Sequence, residues 1–370
     1  MKKKQILSLA IITAILGVLI YLQFRSWQAF DWAKFRQYTG DVSLWHIAAG
    51  IGLVYLAYFM RAVRWAIFLK PTAPTSVRRL IAPQIIGFAA LGLFGRAGEF
   101  ARPYLIARKE KLTFTSQLAV WTVERFFDLG AVAVLMGGFL ALRGGMLAHV
   151  LLQAVRSGSH AALQKAGHNL PVALAALVVL VLFIFLLKRA SGKAAGHLRA
   201  RLVAFKEGFN TIHDAKSFVQ LVVVSLAMWL MIAGSYIEVL HAYPQIPIVV
   251  AGDPEGVQRV ARMNTMGLND VLLVMGSSML GSVVQLPGGV GGSQLAVIGV
   301  LQSNLFNSEP FNITRELAVS CGIMLWLVTF MSVIPAGLLL ARFEKISLTR
   351  LNEESTHEEE DVEAEVARTH

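Results

Sequence analysis

Charge is scarce in this chain. Of its 370 residues only 15% are Asp, Glu, Lys or Arg, against about 25% in an ordinary soluble domain. Cysteine is almost absent: Cys321 stands alone, so no internal disulfide can hold the fold. Recognisable catalytic patterns are missing too. There is no Walker loop, no His-Glu-x-x-His, no Cys/His cluster, no Asp-rich prenyl-diphosphate motif and no Ser-His-Asp set with a familiar local context. These absences exclude a disulfide scaffold, a disordered chain and a soluble enzyme wetted on all sides.

What fills the chain is apolar sequence. Hydrophobic residues make up 55% and the mean hydropathy is +0.59. Apolar runs occupy residues 6–24, 44–69, 118–142, 170–187, 218–240 and 319–341, each about the length that about 30 Å of hydrocarbon requires. Lys2, Lys3 and Lys4 ahead of residues 6–24 imitate a secretion signal. No small-x-small cleavage site follows, so the run reads as an uncleaved first span. Two further runs are irregular. Residues 80–94 are short, and residues 268–301 are cut by Pro287-Gly288-Gly289-Val290-Gly291-Gly292. The expected fold is an all-α polytopic membrane protein of about six full spans plus two re-entrant broken hairpins.

Charge placement tests that topology. If both irregular runs dip in and return, 24 Lys/Arg lie on the side of the N-terminus and 9 on the other. Only Arg125 then falls inside a span. The positive-inside rule places the richer side, with both termini, in the cytoplasm of a bacterial inner membrane. The two hairpins then enter from opposite faces, the pattern of an inverted repeat; an unrelated pair of broken helices explains the same runs. Residues 1–350 form the membrane domain. Residues 351–370 carry eight acids and one arginine, against a net charge of +18 for the rest, and read as a solvated, disordered tail.

Three polar constellations interrupt the apolar background. At residues 95–102, Gly-Arg-Ala-Gly-Glu-Phe-Ala-Arg, the glycines permit a sharp turn. The freed N–H groups of the next half-helix, with Arg96 and Arg102, favour an anion such as phosphate. Glu99 and Arg102 share a face if the segment is helical. A loop obeying the positive-inside rule is the plainer reading of the same residues. At residues 124–128, Glu-Arg-Phe-Phe-Asp, three ionisable groups sit inside an apolar run. Each charge left unpaired at the bilayer centre costs about 2.5–3.5 kcal/mol on insertion scales, so Glu124, Arg125 and Asp128 need partners or a water cavity. A static ion pair between helices, including one from Arg125 to Glu99, satisfies that need as well as a pathway does. At residues 285–294 Pro287 ends one half-helix and Ser293 reads as the N-cap of the next.

Taken together and in this order, residues 95–102, 124–128 and Leu-Pro-Gly-Gly-Val-Gly-Gly at 286–292 resemble the transmembrane region of the lysylphosphatidylglycerol synthase family, also called flippase-like. The resemblance covers about residues 5 to 345. It implies a membrane domain that moves phospholipids or lipid-linked sugars between leaflets. It does not bring lysyl transfer with it, because the chain ends near its last span without room for an aminoacyl-transfer domain. Family members commonly place a glutamate after the Pro-Gly turn, where this chain has Gln294; the amide keeps hydrogen bonding and loses charge. The expected substrate-binding residues are Arg96, Gly98, Glu99, Arg102, Glu124, Arg125, Asp128, Pro287, Gly288, Gly291, Gly292, Ser293 and Gln294. No catalytic residue, metal or cofactor is expected, and no nucleic acid. The expected partners are an anionic phospholipid or lipid-linked phosphate and the surrounding membrane lipids, with a second copy or a lipid-biosynthesis enzyme left open. A membrane enzyme acting on polyprenyl-phosphate or phospholipid substrates is the alternative.

Overall fold

A computed structural model describes residues 30–157, 215–249, 258–282 and 291–368. The expected spans at residues 6–24 and 170–187, and the turn residues Pro287 and Gly288, lie outside the described residues. The described chain is helical apart from one small hairpin of strands. A short helix α1 (Trp32–Gly40) begins at Asp31, whose side chain accepts the N–H groups of Ala33 and Lys34 at 3.0 Å each. Helix α2 (Leu44–Leu69) is 26 residues long and stops just before Pro71, where no helix can easily continue.

Helix α3 (Val77–Phe94) is longer than the apolar run suggested, 18 residues. It does not continue as one straight rod. Gly95, at φ 66°, ends it, a 3-10 turn (Gly95–Phe100) follows, and α4 (Ala101–Glu110) comes straight back. Pro103 sits in the first turn of α4, where its missing N–H costs nothing. Two glycines let the arms touch. A Cβ on Gly87 would lie 2.5 Å from the Cβ of Arg102, and one on Gly98 would run into the carbonyl of Ala90.

Helix α5 (Phe114–Ser157) and helix α6 (Ala215–His241) follow, then an antiparallel pair, β1 (Ile246–Val249) and β2 (Gln258–Ala261), with Ile246 opposite Ala261. The second hairpin is α7 (Leu268–Gly281) and α8 (Gly292–Leu301), closed where Gly281 meets the carbonyl of Gly292. After the single turn α9 (Asn304–Asn307), α10 (Arg315–Trp326) runs through a π turn (Leu327–Met331) into α11 (Val333–Phe343). The π turn lies one turn ahead of Pro335, and Tyr55 donates to the Ser332 carbonyl at 2.8 Å. Helix α12 (Leu348–Arg368) closes the described chain.

Contacts sort the helix ends onto two faces. On one, Arg79 bonds Glu110 at 2.9 Å and Lys109 bonds Glu344 at 2.6 Å, joining the open end of the α3–α4 hairpin to the end of α11. On the other, the Ser43 N–H reaches the Ala242 carbonyl at 2.8 Å, and His241 lies 3.0 Å from the Met266 carbonyl, just ahead of α7. The hairpins therefore enter from opposite faces, as an inverted repeat requires. Among the described residues, four helical stretches are long and apolar enough to span: residues 44–69, 77–94, 215–241 and 315–343. The chain is an all-α, multi-pass membrane protein.

The tail departs from expectation. Residues 351–368 are helical, as part of α12. Leu348, Leu351 and Ser355 recur at helical spacing and are buried, with Leu348 and Leu351 in one apolar cluster with Leu105 and Ala341. Glu354 accepts from Tyr104 at 2.9 Å. Glu353 and Glu358 are exposed on the same helix, so composition concealed an apolar stripe.

Candidate functional site

Five helices deliver polar side chains to one place in the core. Arg61 and Arg64, three apart on α2, point toward α5. From α5, Glu124 and Asp128, four apart, point back. Arg102 enters from α4, Gln84 from α3, and Ser225 and Trp229 from α6. Arg64 and Glu124 are fully buried, and Arg102 is 3% exposed.

Glu124 is the hub. It accepts from Arg64 at 2.5 Å, and from Arg102 through both carboxylate oxygens, at 3.0 and 2.5 Å. Arg64 also donates to Asp128 at 2.7 Å and to Ser225 at 3.0 Å. Trp229 donates to Asp128 at 3.2 Å, and Gln84 accepts from Arg102 at 3.1 Å. Aromatic rings replace part of the lost hydration. The Arg102 guanidinium lies 4.8 Å from the Trp65 ring centre and 5.1 Å from that of Phe88, and Arg61 lies 4.9 Å from Phe88.

The cluster is not neutral. Four guanidiniums, Arg61, Arg64, Arg102 and Arg125, face two carboxylates. Arg61 is held only loosely, 3.8 Å from Glu124 and 3.7 Å from Asp128. Among the described residues its Nη1 has no hydrogen-bond partner, and neither do Arg64 Nε and Arg125 Nε. Buried donors left unpaired cost free energy; with Gln84 Nε2 they number four among the described residues of the cluster, against one unpaired acceptor, Asp128 Oδ2, so donors are in excess at this site.

Arg61 opens onto a cavity of about 280 Å³ between the cluster and the second hairpin. Its polar lining is Tyr236, Ser278, Ser282, Ser293, Gln294 and Thr329. Tyr236 donates to Ser278 at 2.9 Å. A second, apolar groove of about 290 Å³ runs between α5 and α6 along Phe126, Phe127, Val134, Phe218 and Val222, and reaches Ser225 at the edge of the cluster.

Of the expected residues, Arg102, Glu124, Arg125 and Asp128 meet in this cluster, and Ser293 and Gln294 line the cavity. Several expectations need correction. Arg125 does not pair with Glu99; it lies 3.5 Å from Glu124 and 3.8 Å from Asp128, with 43% of its side chain exposed. Glu99 lies on the 3-10 turn three residues before Arg102, and among the described residues it pairs with none of the cluster's guanidiniums. Arg96 is on the same turn, its side chain outside what is described. Gly98 serves packing. Ser293 is not the N-cap of α8. Gly291 takes that place at φ 130°, a conformation side chains disfavour, and its N–H donates to the Gln294 side chain at 2.8 Å. Gly292 supplies the close approach to Gly281.

Sequence reasoning missed Arg61, Arg64 and Gln84. The two arginines, like Arg102, counted as bases of the cytoplasmic side, yet all three are buried. Helix α2 continues to Leu69, so its last turns are still packed among other helices. The available signal was their three-residue spacing, which matches the four-residue spacing of the two acids on α5. Among the described residues no group of three His, Cys, Asp or Glu converges as a metal site.

Comparison with known families gives one match: the family described as lysylphosphatidylglycerol synthase TM region covers residues 5–337. No curated protein and no solved structure matches the chain.

Proposed function

The chain belongs to the lysylphosphatidylglycerol synthase transmembrane-region family, and from that premise we propose that it translocates lipids with phosphate-bearing head groups across a bacterial cytoplasmic membrane. The observation that carries the reading is the excess of buried positive charge beside a cavity whose mostly apolar walls carry five hydroxyls, with Arg61 facing into it. A phosphate entering the cavity meets the loosely held guanidinium of Arg61, which suits two-point recognition of phosphate oxygens. The hydroxyls of Ser278, Ser282 and Thr329 and the Gln294 amide exchange hydrogen bonds with the glycerol or sugar part. The α5–α6 groove holds an apolar tail beside the charge cluster. Glu124 and Asp128 anchor the remaining arginines, so the head group is held by a partly neutralised site that can release it. The face carrying Arg79, Lys109 and Glu344 is the cytoplasmic one by the positive-inside rule.

An enzymatic role for Glu124 as a general base is not favoured. Both its oxygens already accept from guanidiniums, so neither is free to reach a substrate proton.

The test is Arg61→Gln in proteoliposomes containing fluorescent phosphatidylglycerol, read by dithionite quenching of the exposed leaflet. Arg64 and Arg102 still neutralise the carboxylates, so the variant folds, and transport falls at least tenfold. Transport at the parent rate removes Arg61 and its cavity from the mechanism. A new covalent lipid species in mass spectra of the same vesicles would instead support an enzyme.

A further inference from the structure

A second basic site lies toward the C-terminal end of α4, beyond the buried cluster. At the face carrying Glu344, α4, the end of α11 and the start of α12 enclose a bowl of about 530 Å³. Arg108, Lys109, Lys345 and Arg350 line it, against only two acids, Glu344 and Glu354. Both acids are already engaged. Glu344 holds Lys109 at 2.6 Å, and Glu354 accepts from Tyr104 at 2.9 Å and lies 3.7 Å from Arg108. Lys345 and Arg350 have no ion-pair partner among the described residues. The floor is apolar, formed by Pro83, Leu105 and Leu351. Docking of α12 builds the site: it brings Arg350, and the positive end of its own dipole, to the end of α4.

We infer that this bowl binds a phosphate group, carried by an anionic phospholipid of the adjoining leaflet. Two uncommitted cations over an apolar floor match a phosphate attached to a glyceryl ester. The position points to a lipid as the carrier. Phe343 is 73% exposed and Leu339 55%, so lipid-facing surface ends one residue before Glu344, where head groups lie. The bowl also follows the buried cluster along α4. Arg102, Leu105 and Arg108 succeed one another at three-residue steps, and Pro83 on the floor adjoins Gln84, the acceptor of Arg102. The inference stands apart from the transport reading, because its test is binding.

The full chain in phosphatidylcholine nanodiscs is titrated with dihexanoyl-phosphatidylglycerol, dihexanoyl-phosphatidylcholine and inorganic phosphate by calorimetry. The glycerol lipid binds at least tenfold more tightly than the choline lipid or inorganic phosphate. Lys345→Gln with Arg350→Gln weakens it roughly tenfold or more, since each surface base adds appreciably to anionic-lipid attraction. The charge-keeping pair Lys345→Arg with Arg350→Lys retains binding. Parent-like affinity in the glutamine pair, or equal affinity for the choline lipid, overturns the site. Inorganic phosphate binding as tightly as the lipid overturns the lipid as its carrier.

Discussion

Glu124→Gln is the most searching single change. The substitution keeps shape and volume but alters three things at once. It removes the negative end of three charge-assisted hydrogen bonds from Arg64 and Arg102, at 2.5 to 3.0 Å. It places an amide N–H₂ against one of those donors. It also leaves Asp128 alone to face four guanidiniums, two of them, Arg61 and Arg125, at 3.5 to 3.8 Å from the lost carboxylate. Breaking a buried pair by removing one partner costs about 3–5 kcal/mol, a large share of the about 5–15 kcal/mol that separates folded from unfolded chains. Loss of helix on titrating the detergent-solubilised protein with sodium dodecyl sulfate, followed by circular dichroism, measures it. Arg102→Gln completes a double-mutant cycle. Because Glu124→Gln alone raises the excess of positive charge from two to three and the double variant returns it to two, the double should be more stable than the sum predicts by about 1–3 kcal/mol. A cost below about 1 kcal/mol for Glu124→Gln, with additive behaviour in the cycle, would refute the role of Glu124 as the counter-charge that makes the cluster foldable.

Two other variants probe the parts that position the site. Gly98→Ala forces a methyl group against the Ala90 carbonyl backbone, and the same titration should show a loss of about 1–3 kcal/mol; an unchanged midpoint means the hairpin arms are not in contact there. Leu351→Asp puts a charge into the apolar contact with Leu105 and Ala341, so α12 should release and glutamyl endopeptidase should cut near Glu353 and Glu354 much faster than in the parent. Equal cleavage rates would mean that α12 is not docked.

The amount legible from sequence differs from residue to residue. Glu124 and Asp128 announced themselves because an acid inside an apolar run has no inexpensive solution except a partner. Arg61 and Arg64 did not, although they are those partners. A base near the end of an apolar run is what the positive-inside rule expects, so nothing local distinguished a buried arginine from a surface one. Glu99 erred the other way. It stands three residues before Arg102, yet Arg102 is taken by Gln84 and Glu124, which come from other helices. The helix in the acidic tail was hidden because an average over charge hides a stripe of three residues.

The apolar runs and the glycine breaks by themselves determined the fold class and the two interrupted hairpins, because burial in hydrocarbon constrains every residue of a span and leaves few architectures open; the family was legible only through the resemblance carried by residues 95–102, 124–128 and 286–292. Which side chains meet was decided only by tertiary packing. Glu124 lies some 60 positions from Arg64 and 22 from Arg102 along the chain, and their bonds depend on how α2, α4 and α5 cross. The cavity exists for the same reason: Arg61 and Gln294 come from opposite halves of the sequence and share it only because the second hairpin enters from the other face.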